Sequence, residues 1–474
     1  MNLLLDLQIL GWLLVGIGAF QALPVGVALV YGEPSLPYAS SGAIAVLYGA
    51  SVAWSVRPQE RRMRVRDGFI VVTGGWLLAS GFGALPYALS GALSPVDALF
   101  ESVSGFTTTG SSVMATVEGV PRALHLWRSL TQWLGGMGII VFTIAVLPLL
   151  GIGGMQLFKA EVSGPVTDKL TPRIAVTARR LWLIYVGFTL AAIVLLWFAG
   201  MDLFDAVCHA FTTLATGGFS TRNASVGAFP PAVQWVVIVF MLIGGISFAL
   251  HYRLFARHFR QVARDVELRL YLGILLLATA AIAAVLEDDG GDTVRHAAFQ
   301  VVSIVTTTGF ATADYEKWPP FAQFVIFHLL IVGGMAGSTA GGIKTLRLLL
   351  GLSALRTFIW RLTHPHAVRS VRYAGRTVPD DVVSGVAVFF LAYLAIATIA
   401  ATIIAAFGYD IVTSMSAALT AIGNVGPGLG HVGPSEHFGH LPAAAKLVLC
   451  FCMLAGRLEI FTVLVILAPH FWRR

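Results

Sequence analysis

The chain has 474 residues, of which 57% are hydrophobic and only 12% charged, against roughly 25% charged in a water-soluble domain. That composition excludes water as the main solvent. Its 31 basic and 24 acidic residues leave a net +7, but the basic residues cluster briefly between apolar runs, which argues against a nucleic-acid-binding face and for a topology signal.

A membrane helix needs about 20 mostly apolar residues. In chain order, such stretches run at 2–31, 40–56, 68–91, 124–150, 180–200, 231–256, 269–286, 321–360, 382–407 and 441–469. The first lacks a basic leading segment, so it reads as a membrane helix and not as a cleaved signal. Basic connections follow the second stretch (Arg57, Arg61, Arg62, Arg64, Arg66), the fourth (Lys159, Lys169, Arg173, Arg179, Arg180) and the sixth (Arg257, Arg260, Arg264, Arg269). The positive-inside rule places all of them in the cytoplasm. The run from Lys344 to Arg376 and the Arg473-Arg474 tail fall on the same side, so an even number of crossings leaves both termini inside. Cys208, Cys450 and Cys452 are too few for a disulfide framework and read as small buried hydrophobes.

On the opposite side, each connection after the first hairpin holds an apolar stretch too short to cross, followed by a Thr/Gly cluster. The clusters end Thr107-Thr108-Thr109-Gly110, Ala215-Thr216-Gly217-Gly218, Thr306-Thr307-Thr308-Gly309 and Gly423-Asn424-Val425-Gly426. Spacings of roughly one hundred residues are too long for a solenoid. They suit four modules of outer helix, half-helix, loop and inner helix after a leading hairpin, an all-α membrane fold. Irregular backbone at membrane depth must be buried in protein or line a water-filled cavity, a condition four loops around one axis satisfy together. Carbonyl oxygens that replace a cation's hydration shell need backbone conformations glycine adopts freely, and Thr hydroxyls add oxygens. Each half-helix would aim its partly negative C-terminal end at the path. One Thr/Gly cluster alone is an ordinary turn; four in equivalent places read as a cation pathway.

These residues resemble the Trk/Ktr/HKT superfamily of potassium transporters, most closely its bacterial TrkH branch. The likeness rests on Leu170-Thr171-Pro172-Arg173-Ile174, Ala215 to Ser220, Gly333 to Lys344 and Asn424 to Gly430, and covers essentially the whole chain. It implies four membrane-half-helix-membrane repeats around one central pore, with boundaries at 1–66 for the hairpin and its basic loop, then 67–158, 159–262, 263–376 and 377–474. Carried over by motif, the potassium-coordinating filter residues are Thr108, Thr109 and Gly110; Ala215, Thr216 and Gly217; Thr307, Thr308 and Gly309; and Asn424, Val425 and Gly426. Sodium-favouring relatives often carry serine at the first of these glycines, so Gly110 points to potassium. The fourth loop departs from the pattern, with Asn424 in place of Thr. The resemblance further implies potassium uptake across a bacterial inner membrane, no organic cofactor, a homodimer in membrane lipid, and TrkA-like cytosolic subunits that bind nucleotides. No nucleic-acid partner or enzyme activity is expected. The alternatives are a sodium-conducting or sodium-coupled carrier and, from a different class, a non-conducting sensor or intramembrane enzyme.

The eighth stretch is too long for one crossing and contains a segment rich in small residues. Gly333, Gly334, Gly337, Ser338, Thr339, Gly341 and Gly342 lie in it, and glycine costs about 1 kcal/mol in a helix relative to alanine. A helix break that blocks the pore, or close packing through Gly337 and Gly341, both fit; the resemblance implies an intramembrane gating loop. Lys344 at its end either binds carbonyls or a carboxylate, or marks the membrane boundary. Arg457 lies mid-span, where a charge costs about 2.5 to 3.5 kcal/mol, and so either raises a barrier to cations beneath the filter or pairs with a distant carboxylate. Glu101, in the first half-helix, either adds negative potential or is hydrogen-bonded behind the filter. The run Gly428 to Gly433 matches a dinucleotide pattern without the strand it needs, and His364 and His366 lack further ligands at zinc spacing.

Overall fold

A computed structural model describes residues 2–58, 64–145, 170–286, 292–365 and 369–473. The expectations for Arg61, Arg62, Lys159, Lys169, His366 and Arg474, and for the side chains from Leu170 to Ile174, lie outside them.

Among the described residues, six helices are long and apolar enough to cross a membrane: Leu3–Tyr31, Leu36–Ser55, Val65–Leu89, Val176–Phe198, Val266–Ala283 and Asp380–Ala406. Two of the expected straight crossings are bent instead. Pro231–Gly245 turns by 99° into Phe248–Phe255, and Ala443–Arg457 by 116° into Phe461–Leu467. The first bend has a hydrogen-bond cause. In a continuing helix the Gly244 and Gly245 carbonyls would accept from the amides four residues on. Here they accept from the amides of Thr339 (3.2 Å) and Met335 (2.9 Å), while the Phe248 amide donates to the Gly337 carbonyl at 3.0 Å. The eighth stretch divides into Pro320–Leu329 and Thr345–Thr363, with irregular backbone between them.

The leading hairpin packs through small residues, as lipid-embedded helix pairs do. A methyl group on Gly11 or Gly18 would overlap the backbone of Gly49 or Gly42 across the pair. Four short helices, Pro95–Phe106, Leu203–Leu214, Thr293–Val305 and Ile411–Gly423, have 12, 12, 13 and 13 residues. At 1.5 Å per residue they reach little more than halfway through about 30 Å of hydrocarbon. Each starts after a residue suited to an N-cap: Ser94, Asp202, Asp292 and Asp410. The side chains of Ser94, Asp202 and Asp410 accept an amide hydrogen bond in the first turn.

Both ends of the described chain lie together. The Asn2 amide donates to Asp67 at 2.9 Å, and the neighbouring Arg66 donates to the Arg473 carbonyl, also at 2.9 Å. Cys208, Cys450 and Cys452 are buried free thiols.

Candidate ion pathway

The four short helices end in one and the same way. The residues Thr108, Thr216, Thr307 and Asn424 have φ of 52°, 53°, 55° and 54°, in the left-handed region. The next residue's amide then donates back five residues, from Thr109 to Ser104 (2.9 Å), Gly217 to Thr212 (2.8 Å), Thr308 to Ser303 (2.8 Å) and Val425 to Thr420 (2.9 Å). This is the six-to-one bond of a left-handed helix stop. Asn is among the few residues that tolerate that conformation. Asn424 therefore meets the same backbone demand as the threonines, and its departure from the pattern lies in the side chain alone. Its Nδ2 donates to Thr109 Oγ1 (3.0 Å) and the Met453 carbonyl (2.9 Å), which ties the fourth loop to the first. Three β-branched threonines in left-handed backbone are strained by about 1–3 kcal/mol each, and such strain persists where surrounding structure over-determines it.

Two residues further on, each loop has a glycine at positive φ: Gly110 (85°), Gly218 (81°), Gly309 (81°) and Gly426 (108°). What a methyl group would meet there defines the arrangement. On Gly110 it would overlap the Gly217 carbonyl, on Gly218 that of Thr308, on Gly309 that of Val425, and on Gly426 it would lie 2.9 Å from that of Thr109. The contacts run from loop one to two, three, four and back to one, a closed ring. One cavity is lined by all four of these glycines.

The ring shifts the second loop by one residue from the sequence expectation. The equivalents of Thr108-Thr109-Gly110 are Thr216-Gly217-Gly218, so Ala215 matches Thr107 and belongs to the helix stop. The other three loops keep the expected register. The hydroxyls of Thr109 and Thr308 are held by those of Thr107 (2.7 Å) and Thr306 (2.8 Å). Glu101 is fully buried behind the first loop, paired with Arg128 at 2.8 Å and accepting from the Val113 amide at 2.9 Å, in line with the hydrogen-bonded alternative.

The irregular segment after Leu329 lies directly under this ring. Gly341 N donates to Thr307 Oγ1 at 2.6 Å, and a methyl group on Gly341 would overlap the Gly423 carbonyl. Thr339 Oγ1 donates 3.0 Å bonds to the carbonyls of Leu214, at the end of the second short helix, and Gly244. The segment is closed on itself by the Gly333 amide bonding to the Ile343 carbonyl (2.9 Å) and the Thr345 amide to that of Gly334 (3.1 Å). Ser338 Oγ donates to the Met335 carbonyl at 2.6 Å. Gly337 and Gly342 stand at φ 78° and 65°, so helix packing through Gly337 and Gly341 does not occur. Lys344 donates to the Ala340 carbonyl, the first of its alternatives. Arg457 is buried, with Nη1 donating to the Thr339 carbonyl at 2.7 Å and Nη2 to that of Gly135 at 3.2 Å. Among the described residues no carboxylate pairs with it; Glu459 pairs instead with Arg347 at 2.5 Å. A second cavity, below the segment, is lined by Gly337, Gly341, Gly342, Lys344 and Arg457.

Four loops thus close around one axis, with a cavity touching all four and irregular backbone packed against them. A family model described as "TrkH: Cation transport protein" matches residues 37–474. The chain belongs to the TrkH cation transport family. Its TrkH relatives include the "Trk system potassium uptake protein TrkH" of Salmonella typhimurium, 39% identical with 98% of both chains covered. The "Trk system potassium uptake protein TrkI" of Halomonas elongata is 41% identical, covering 98% of this chain and 95% of that one. The crystal structure of the potassium transporter TrkH from Vibrio parahaemolyticus superposes with a TM-score of 0.92 at 37% identity, with both chains fully covered. A TrkH-family chain is a membrane cation transporter, not an enzyme.

Sequence reasoning missed Glu267. Its Oε1 accepts from the amides of Ala336 (2.7 Å) and Leu346 (3.0 Å) and from Thr345 Oγ1 (3.0 Å), clasping the middle of the irregular segment to its C-terminal end. A glutamate flanked by Val266 and Leu268 at the start of an apolar span was the available signal, because such a group needs donors once buried.

Proposed function

We propose that this integral membrane chain takes up potassium through one pore, with Thr108-Thr109-Gly110, Thr216-Gly217-Gly218, Thr307-Thr308-Gly309 and Asn424-Val425-Gly426 as its filter. The single observation that carries this is the closed ring of glycine and carbonyl contacts between the loops. A ring of carbonyl oxygens substitutes for the hydration shell of a cation, and the ends of the short helices add negative potential.

The segment from Gly333 to Lys344 is the gate. It rests against the filter through Gly341 and Thr339, and Arg457 pins the Thr339 carbonyl. Lys344 fixes the segment's end, and Gly334, Ser338 and Gly342 shape its turns. The hairpin spans 1–66 and the four pore units 67–158, 159–262, 263–376 and 377–474. The basic connections put both termini in the cytoplasm, with the bacterial inner membrane as the site. The relatives' names describe a system of several components. The partners we propose are a second copy of the chain and TrkA-like nucleotide-binding subunits that pull on the gate from the cytosol, with anionic lipid at the basic cytoplasmic loops.

The test is rubidium and sodium flux into liposomes holding the purified chain, with and without a sodium gradient. Rubidium uptake in preference to sodium, independent of the gradient, is expected. Sodium flux equal to rubidium flux, or no rubidium flux even from the Glu267→Ala chain whose gate is loosened, overturns the reading.

A further inference from the structure

Gln132 is a buried side chain of the helix Arg122–Ala145. Its Nε2 donates to the Gly217 carbonyl at 2.6 Å and its Oε1 accepts from the Phe219 amide at 3.1 Å. The partners fix the orientation of the carboxamide, because a carbonyl only accepts and an N–H only donates. In the ring, Gly217 is equivalent to Thr109, Thr308 and Val425, each of which has a side chain. A methyl group on Gly217 would overlap the Gln132 carboxamide. The second loop has thus given up its own side chain at this position, and a neighbouring helix supplies one in its place.

The exchange makes the ring uneven. Among the described residues, the carbonyls of Thr109, Thr308 and Val425 accept no hydrogen bond, whereas that of Gly217 shares one of its two lone pairs with Gln132. Preference between alkali cations depends on the number and field strength of the carbonyl dipoles and on how far they can close in on a smaller ion. A carbonyl tethered from the side is a weaker ligand and cannot follow a shrinking radius.

We propose that Gln132 sets the filter's preference for potassium by tethering the Gly217 carbonyl. It acts as a positioning residue and does not touch the ion. The inference rests on the filter reading above, and its test keeps the two apart. Rubidium and sodium fluxes are measured in liposomes for the full chain and for Gln132→Met, Gln132→Asn and Gly110→Ser. Met matches the volume of Gln without its polar atoms; Asn keeps the chemistry but is too short to span both partners, and serves if the Met variant does not fold. Each Gln132 variant is expected to lower the rubidium-over-sodium ratio by about fivefold, the factor a hydrogen bond of ordinary net strength represents, with rubidium flux maintained. Unchanged ratios in both folded Gln132 variants beside an altered ratio in Gly110→Ser would overturn the role of Gln132 and leave the filter standing. An unchanged ratio in Gly110→Ser as well would remove the filter reading and this inference with it.

Discussion

Two glycines side by side illustrate how one residue type answers two demands. Gly218 is required by its backbone, at φ 81°, and by the Thr308 carbonyl where its methyl group would sit. Gly217 is required by the space Gln132 fills. Counting from the first glycine does not separate the demands, so the second loop reads one residue early as Ala215-Thr216-Gly217; the Gly-Phe pair shared by Gly218-Phe219 and Gly309-Phe310 is the signal that marks the register. Gly218→Ala should therefore both destabilise and misdirect a carbonyl. Left-handed backbone alone costs a non-glycine residue about 1–2 kcal/mol, and displacement of the Thr308 carbonyl should lower the rubidium-over-sodium flux ratio. Gly91 is the control, at φ 71° with no atom within 4 Å of an added methyl group. Gly91→Ala is expected to lower the melting temperature with the flux ratio intact. Equal effects of the two variants on the ratio would show that the ring is not a selective structure.

At the scale of elements, short helices and break points were legible to different degrees. Length alone marks stretches such as Leu203–Leu214 as too short to cross, and the repeated Thr/Gly ends mark where they stop. The bend after Gly245 has only a weak local signal, the Gly244-Gly245 pair, since its cause is the capture of the Gly244 and Gly245 carbonyls by Thr339 and Met335, some ninety residues later. The break between Leu329 and Thr345 was visible in its glycines, but the clasp on it was not. Glu267 reaches it from the start of another span. Glu267→Ala removes the acceptor of three hydrogen bonds, each worth about 1 kcal/mol, and should raise rubidium flux in the absence of any partner while leaving the ion preference unchanged. Glu267→Gln retains Oε1 and should stay near the parent rate. A flux unchanged by the Ala variant would show that the segment is not held by this carboxylate or does not limit passage.

Across the whole molecule, fourfold pseudo-symmetry is what joins sequence to function. One strained stop recurs at Thr108, Thr216, Thr307 and Asn424, and no single copy of it has a purpose without the other three. The sequence carries the repeat because each copy meets the same backbone demand. It hides the cross-links, such as Asn424 to Thr109 and Arg457 to Thr339, because those depend on residues more than one hundred positions apart. Rubidium anomalous diffraction from crystals of the full chain examines the shared axis directly. The account predicts a peak bounded by the second-residue carbonyls of all four loops, Thr109, Gly217, Thr308 and Val425. Rubidium peaks confined to sites away from those four carbonyls would contradict it.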